Sequence, residues 1–272
     1  MSPRPAGLRA DGAGDARGPA GTVRRLSFPR PERGAAVTAP SLEDPAAEVV
    51  LGCHVLGIED QGDPVWGHVS RRDRDLGHVW LKAGPRGFDE VGAEDVVLTD
   101  LDGKRLLGSA PVPREYPLHT EVLRVREDVG SVVHCHPPHA IALAATGQPL
   151  YAFSNGAGPF AAGVPRYEAP VGLVETPELG ADVARHLGDA RALFLVGHGI
   201  VAVGASVATA VMTAVLLERA CRLQLLAAAA GGVAPPLREP GSRYSHAEAD
   251  GYLLRSWEYL VRRTNSGKDG KA

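Results

Sequence analysis

Ser131-Val-Val-His134-Cys-His136-Pro-Pro138 (SVVHCHPP) is the stretch that decides how this chain is read. Along an extended strand, successive side chains alternate between faces, so the H-x-H pair points the imidazoles of His134 and His136 the same way. Alternation turns Cys135 to the opposite face. Val132 and Val133 read as a buried strand, and Pro137 and Pro138 end it. A divalent metal needs several lone-pair donors converging on one point, and two adjacent imidazoles begin such a set. The same pattern also suits two satisfied histidines in a core or at a strand end.

Composition sets the frame around that stretch. The chain has 272 residues, 44% of them hydrophobic, which is enough for one large core. A formal net charge of -3 gives no basic field for nucleic acid or for an anionic membrane surface. No apolar run approaches a transmembrane span, and the arginine-containing N-terminus lacks the apolar core of a secretory signal. The three cysteines, Cys53, Cys135 and Cys221, are widely spaced and form no C-x-x-C pair, so the expected compartment is a reducing cytoplasm.

Residues 1–45 are rich in Pro, Gly, Ala and Arg and show no hydrophobic periodicity. They read as a disordered leader, with Leu26 and Phe28 as weak anchors, because such a segment buries too little surface to offset its ordering entropy. The folded domain is expected over 46–232, followed over 233–272 by a linker (Pro235–Ser242) and a C-terminal helix that packs on the domain or on a neighbouring subunit. Within the domain, Ser41 is placed to cap a helix through Glu48–Leu56. Strands are expected at Val79–Lys82, Asp95–Asp100, Leu150–Phe153 and Ala192–Val196, with Ile200–Val203 continuing extended and a hairpin turn at Asp102-Gly103. Pro117 opens a helix with Leu118, Val122 and Val125 at helical spacing, and Pro137 or Pro138 opens another through Ala145. Asn155–Gly163 reads as a loop too small in composition to be core. Thr176-Pro177 starts a helix through Leu187, Ser206 starts the longest helix to about Ala230, and Glu248–Arg263 is amphipathic. Interleaved strands and helices with hairpin signals predict α/β layers around a largely antiparallel or mixed sheet.

Two further features bear on chemistry. Gly197-His198-Gly199 places a histidine between glycines at a strand end, where it can be approached closely from both sides, or else marks a surface turn. Glu115 lies in a loop just before a helix, where a carboxylate is favoured whether or not it has a catalytic role. No local spacing links these residues into one site.

A resemblance does. The order G-H-V-S-R-R (Gly67–Arg72), E-x-x-x-H (Glu115 to His119), VVHCHPP, then GHGIVAVG followed by a long helix containing Leu217-Glu218 resembles the class II aldolase/adducin superfamily over about Ala46 to Ala230. The resemblance implies a three-layer α/β/α sandwich with a central, mostly antiparallel sheet. It implies one divalent metal per subunit (Zn2+, Mn2+ or Fe2+) held by His134, His136 and His198, with Glu115 at the metal as a fourth ligand or as the acid/base. His119 is expected behind these groups as a second layer of support, and a homotetramer with sites between subunits is usual in the family. Three neutral imidazoles leave a metal its full charge and open positions, so it can act as a Lewis acid in aldol cleavage, epimerisation or decarboxylation.

The departures concern substrate. Sugar-phosphate members carry Asn where His68 stands and small hydroxyl residues before the catalytic Glu, whereas this chain has Pro113 and Arg114 there. The form instead resembles the decarboxylase-like branch, with His68, Ser70, Arg72 and Arg114 as candidate substrate-binding residues. No tyrosine aligns securely with the aldolase proton donor; Tyr151, Tyr252 and Tyr259 are the nearest in order. The leading expectation is therefore a carbon–carbon lyase acting on a small non-phosphorylated carboxylate or hydroxy-acid. The alternatives are an Fe(II)-dependent oxygenase that shortens a prenylated aryl-pyruvate to the benzoate, a sugar-phosphate aldolase or 4-epimerase, and a non-catalytic adducin-like module.

Overall fold

The computed structural model describes residues 44–75, 77–168, 172–232 and 246–266. The expected leader up to residue 43, the Ser41 cap and the Pro235–Ser242 linker lie outside the described residues. The elements in order are α1 (Pro45–Ile58), β1 (His68–Asp73), β2 (His78–Lys82), β3 (Val96–Thr99), β4 (Arg105–Leu107), α2 (Pro117–Val125), β5 (Ser131–Cys135), α3 (Pro138–Ala145), β6 (Arg166–Tyr167), α4 (Pro177–Leu187), β7 (Ala192–Leu195), β8 (Gly199–Gly204), α5 (Val207–Ala229) and α6 (His246–Ser266).

The strands form one eight-stranded sheet in the order β4-β3-β2-β1-β5-β8-β7-β6. Every pairing is antiparallel except β6 with β7. Alternation along each strand sends two apolar sets to opposite faces. Val69, Val133, Cys135 and Ile200 join the core beneath α1, α3, α5 and α6, while Val79, Val132, Leu193 and Val201 join a second core beneath α2 and α4. The result is the expected three-layer α/β/α sandwich.

Local signals account for most helix boundaries. Asp44 caps α1: its carboxylate accepts from Ala46 N at 3.0 Å, and Pro45 needs no donor partner in the first turn. Thr176 caps α4, and Ser206 and Thr209 exchange side-chain and backbone bonds at the start of α5. Val125 falls on the apolar spacing of α2 but is exposed, because the helix ends there.

Two expectations give way to tertiary context. Leu150–Phe153 forms no strand: Gln224, on α5, accepts from Tyr151 N at 2.7 Å and donates to Pro149 O at 2.8 Å, so a side chain supplies bonds a ladder would otherwise make. Asn155–Phe160 is a 3-10 helix rather than a loop, and Ala157 and Phe160 are buried against α5 in the main core. Ile200–Val203 is extended as expected, within β8, but the chain does not run straight on from β7 through Gly197-His198. It reverses, and β8 pairs antiparallel with β7 from Leu195 opposite Gly199.

Helix α6 lies on α5 and α1 of its own chain, with Leu253 and Leu260 buried and Arg263 paired to Glu59 at 2.6 Å. Leu253→Ala removes a fully buried side chain and is expected to lower unfolding free energy by about 2–4 kcal/mol. Leu254→Ala, at an exposed position of the same helix, should change it by less than about 0.5 kcal/mol, both read from urea unfolding.

Candidate metal centre

The centre is built from the ends of three central strands. Antiparallel register sets His68 of β1 opposite His134 of β5, and His134 opposite Val201 of β8. His136 leaves the end of β5, and His198 sits in the β7–β8 turn, where its N–H donates to Leu195 O at 3.0 Å. Candidate ligand atoms of His134, His136 and His198 all lie within 4.8 Å of one another. Gly199 makes this convergence possible: a Cβ there would stand 2.5 Å from Cys135 O and 2.7 Å from His136 Cδ2.

The fourth group arrives from the opposite layer. Glu115, just ahead of α2, places Oε2 3.5 Å from His134 Nε2 and Oε1 3.7 Å from His198 Nε2. Val174 N donates to Oε1 at 3.0 Å, while the neighbouring Arg114 pairs with Glu175 at 2.6 Å. Two consecutive residues are thus tied to two consecutive residues, turning Glu115 inward and leaving Arg114 exposed.

The donor set fits a divalent cation. His134 Nδ1 donates to the Ile200 carbonyl at 2.9 Å, so in the neutral ring Nε2 carries a lone pair. That atom faces His136 Nε2 at 3.1 Å and the Glu115 carboxylate. Lone pairs converging on one point repel unless a cation lies between them, and three imidazoles with a carboxylate suit zinc, manganese or iron. Burial, reinforced by neighbouring histidines, pushes His136 down to about 3 and lowers His198, which favours the neutral form a metal needs. Burial alone would raise Glu115, but whenever the histidines are protonated a hydrogen bond from His134 and the charges of His134 and His198, together with the Val174 N–H, hold it down at about 2.

Behind the centre lies a buried polar layer. His119 Nδ1 meets Ser70 Oγ at 2.8 Å, and that hydroxyl donates to Val132 O at 3.3 Å. Ser70 therefore supports His119 rather than facing open space. His119 Nε2 and His68 Nδ1 are buried without a partner, and the two rings stand 5.8 Å apart, with His68 6.0 Å from His134. Burial takes His119 down to about 3. Arg72 does not join the centre. Its guanidinium donates to the carbonyls of Leu123, Arg126 and Val129 at the far end of β1, where it ties off the last turn of α2. Among the described residues, no tyrosine hydroxyl bonds to the histidine–glutamate group. The residues that sequence reasoning left out are those acting through the backbone or from distant loops: the Ile200 carbonyl, the Val174 N–H and Asp63, whose Oδ2 is 4.0 Å from His136 Nδ1. In the sequence, Asp63-Pro64 offers no more than a turn-type dipeptide.

Gly199→Ala should displace the His136 ring or the end of β5 and weaken metal affinity by about tenfold or more, measured by chelator competition. In the metal-free protein, His119 and His136 hold pKa values of about 3 against a usual 6.5, so the unfolded chain binds more protons between those limits. Stability should therefore fall as pH drops below about 6.5, with Glu115 adding to the loss below its usual 4.5. A urea midpoint that stayed level from pH 7 down to 4 would contradict this.

Known proteins place these features. The chain is 36% identical over 196 residues to the 3,4-dihydroxyphthalate decarboxylase of Arthrobacter keyseri, covering 68% of this chain and 79% of the relative. It is 30% identical over 181 residues to the 4-hydroxy-3-prenylphenylpyruvate oxygenase/4-hydroxy-3-prenylbenzoate synthase of Streptomyces roseochromogenus subsp. oscitans, covering 64% of each. Its fold matches the crystal structure of an aldolase II superfamily protein from Pseudomonas syringae with a TM-score of 0.71 at 23% identity, over 82% of this chain and 92% of the other. The Class II Aldolase and Adducin N-terminal domain matches residues 47–225, and the chain belongs to that family.

Proposed function

We propose that the protein is a divalent-metal-dependent carboxy-lyase acting on a small, non-phosphorylated, hydroxylated aromatic carboxylate. The observation that carries this reading is the convergence of His134, His136, His198 and Glu115, in a chain 36% identical to a decarboxylase of the same family. When bound by the three histidines, the metal supplies Lewis acidity toward a substrate oxygen. The protein side chains do the rest. Loss of CO2 leaves a carbon that must take up one proton, and Glu115 is the carboxyl group placed to deliver it. Oε1 is held by the Val174 N–H, leaving Oε2 to take a proton from a substrate hydroxyl and pass it to that carbon. His68, neutral beside His134, offers a hydrogen bond to a second polar group of the substrate. Arg114 serves at most at the rim, since Glu175 engages it.

A small-molecule substrate fits the family, and we extend the reading to a homo-oligomer with sites near subunit contacts. Trp66, adjoining β1, and Leu173, adjoining the Glu115 anchor, are exposed apolar side chains that support such a contact. The three cysteines are free and buried, which suits a reducing compartment, and among the described residues no helix is long and apolar enough to cross a membrane.

The test is CO2 release from 3,4-dihydroxyphthalate and related hydroxybenzoates by protein loaded with Zn2+, Mn2+ or Fe2+. Absence of CO2 across that panel overturns the proposal. Glu115→Gln should retain metal and lower kcat by about 10²–10⁴-fold, whereas His134→Ala should lose metal and turnover together. A second reading, an Fe(II)-dependent oxygenase, is favoured by the 30% identical oxygenase relative. Oxygen uptake that requires Fe2+ and vanishes with Zn2+ distinguishes it.

A further inference from the structure

We infer that Asp63 is the positioning residue of His136: its carboxylate receives the Nδ1–H of that ring and so fixes Nε2 as the atom turned toward the other two histidines. The inference rests on the metal-centre reading above. His136 Nε2 is the inner atom, 3.1 Å from His134 Nε2. The other nitrogen, Nδ1, is buried and has no hydrogen-bond partner. With Nε2 given to the metal, Nδ1 bears the ring hydrogen, and a buried N–H left unpaired is unfavourable, so this atom calls for an acceptor. Asp63 Oδ2 lies 4.0 Å away, roughly 1 Å beyond a charge-assisted hydrogen bond. His136 is the one basic group within ion-pair distance of Asp63 among the described residues.

The backbone beneath Asp63 is held while its side chain is free to turn. Trp66 N donates to Asp63 O at 2.9 Å, closing a tight turn. Lys82, a wholly buried lysine, donates from Nζ to Val65 O at 3.0 Å. The Pro64 carbonyl lies 2.8 Å from the position of a Cβ on Gly87, so the turn is seated on that residue. The turn then enters β1 through Gly67, where a Cβ would stand 2.6 Å from the Phe88 ring and 3.1 Å from His134 O. The Asp63 side chain itself is 51% exposed, so rotating its carboxylate by about 1 Å moves no packed group. A carboxylate on the far nitrogen of a metal-ligating imidazole sets the tautomer and raises the basicity of the ligating atom. Lys82 thereby has a role too: its buried ammonium pins the turn that carries Asp63.

The test uses the full chain loaded with Co2+, with affinity read by chelator competition and ligand geometry by the visible absorption spectrum. Asp63→Ala should weaken Co2+ binding about 10–100-fold and alter the spectrum. Asp63→Asn, which keeps an acceptor oxygen, should recover most of the affinity. Wild-type affinity and spectrum in Asp63→Ala overturn the inference and leave the metal centre standing. Equal losses in the Ala and Asn variants overturn it as well. If the wild type binds Co2+ no better than His136→Ala, the metal-centre reading falls and this inference with it.

Discussion

The hydrogen bond from His134 Nδ1 to the Ile200 carbonyl ties the chemistry of the centre to the sheet. It joins β5 to β8 through a side chain as well as through the ladder, and it leaves Nε2 as the only nitrogen of the neutral ring able to donate electrons. Ring orientation, tautomer and strand register are therefore one constraint. Shifting β5 by one residue would turn His134 into the apolar core that now receives Val133 and Cys135, and would place a valine at the centre.

That constraint makes polar burial necessary on one face of the sheet. Glu115, His119, Ser70 and His134 are all buried there, and each is held by a named partner at one atom at least. Keeping His119 and His136 neutral avoids the cost of burying charge, and the one carboxylate accepts the N–H of Val174. The opposite face, covered by α1, α3, α5 and α6, is mainly apolar, with buried Lys82 and Glu218 each bonded to backbone. Function and stability are thus divided between the two faces of one sheet.

The two positions at which the resemblance implies a departure from the sugar-phosphate pattern sit around this arrangement. His68 adjoins His134 as its register partner, and Arg114 stands on the loop that delivers Glu115, where Glu175 engages it. Both side chains lie beside the histidines and the carboxylate without displacing them. This is how one fold carries different chemistry: the scaffold is conserved in geometry, and specificity lies in loops and strand ends.

The sequence by itself determined the local pieces. H-x-H alternation set the two imidazoles on one face, Thr176-Pro177 and Ser206 marked helix starts, and Gly197-His198-Gly199 signalled a close approach. These are readable because their causes lie within a few residues of one another. Only the tertiary structure decided that Glu115 meets the histidines from across the layers and that Arg72, near in motif, serves the end of α2. It also replaced an expected strand at Leu150–Phe153 with bonds to Gln224 and seated Phe160 in the core. In each case the deciding partner lies tens of residues away, and strand register and layer packing bring it in, so no local pattern announces it.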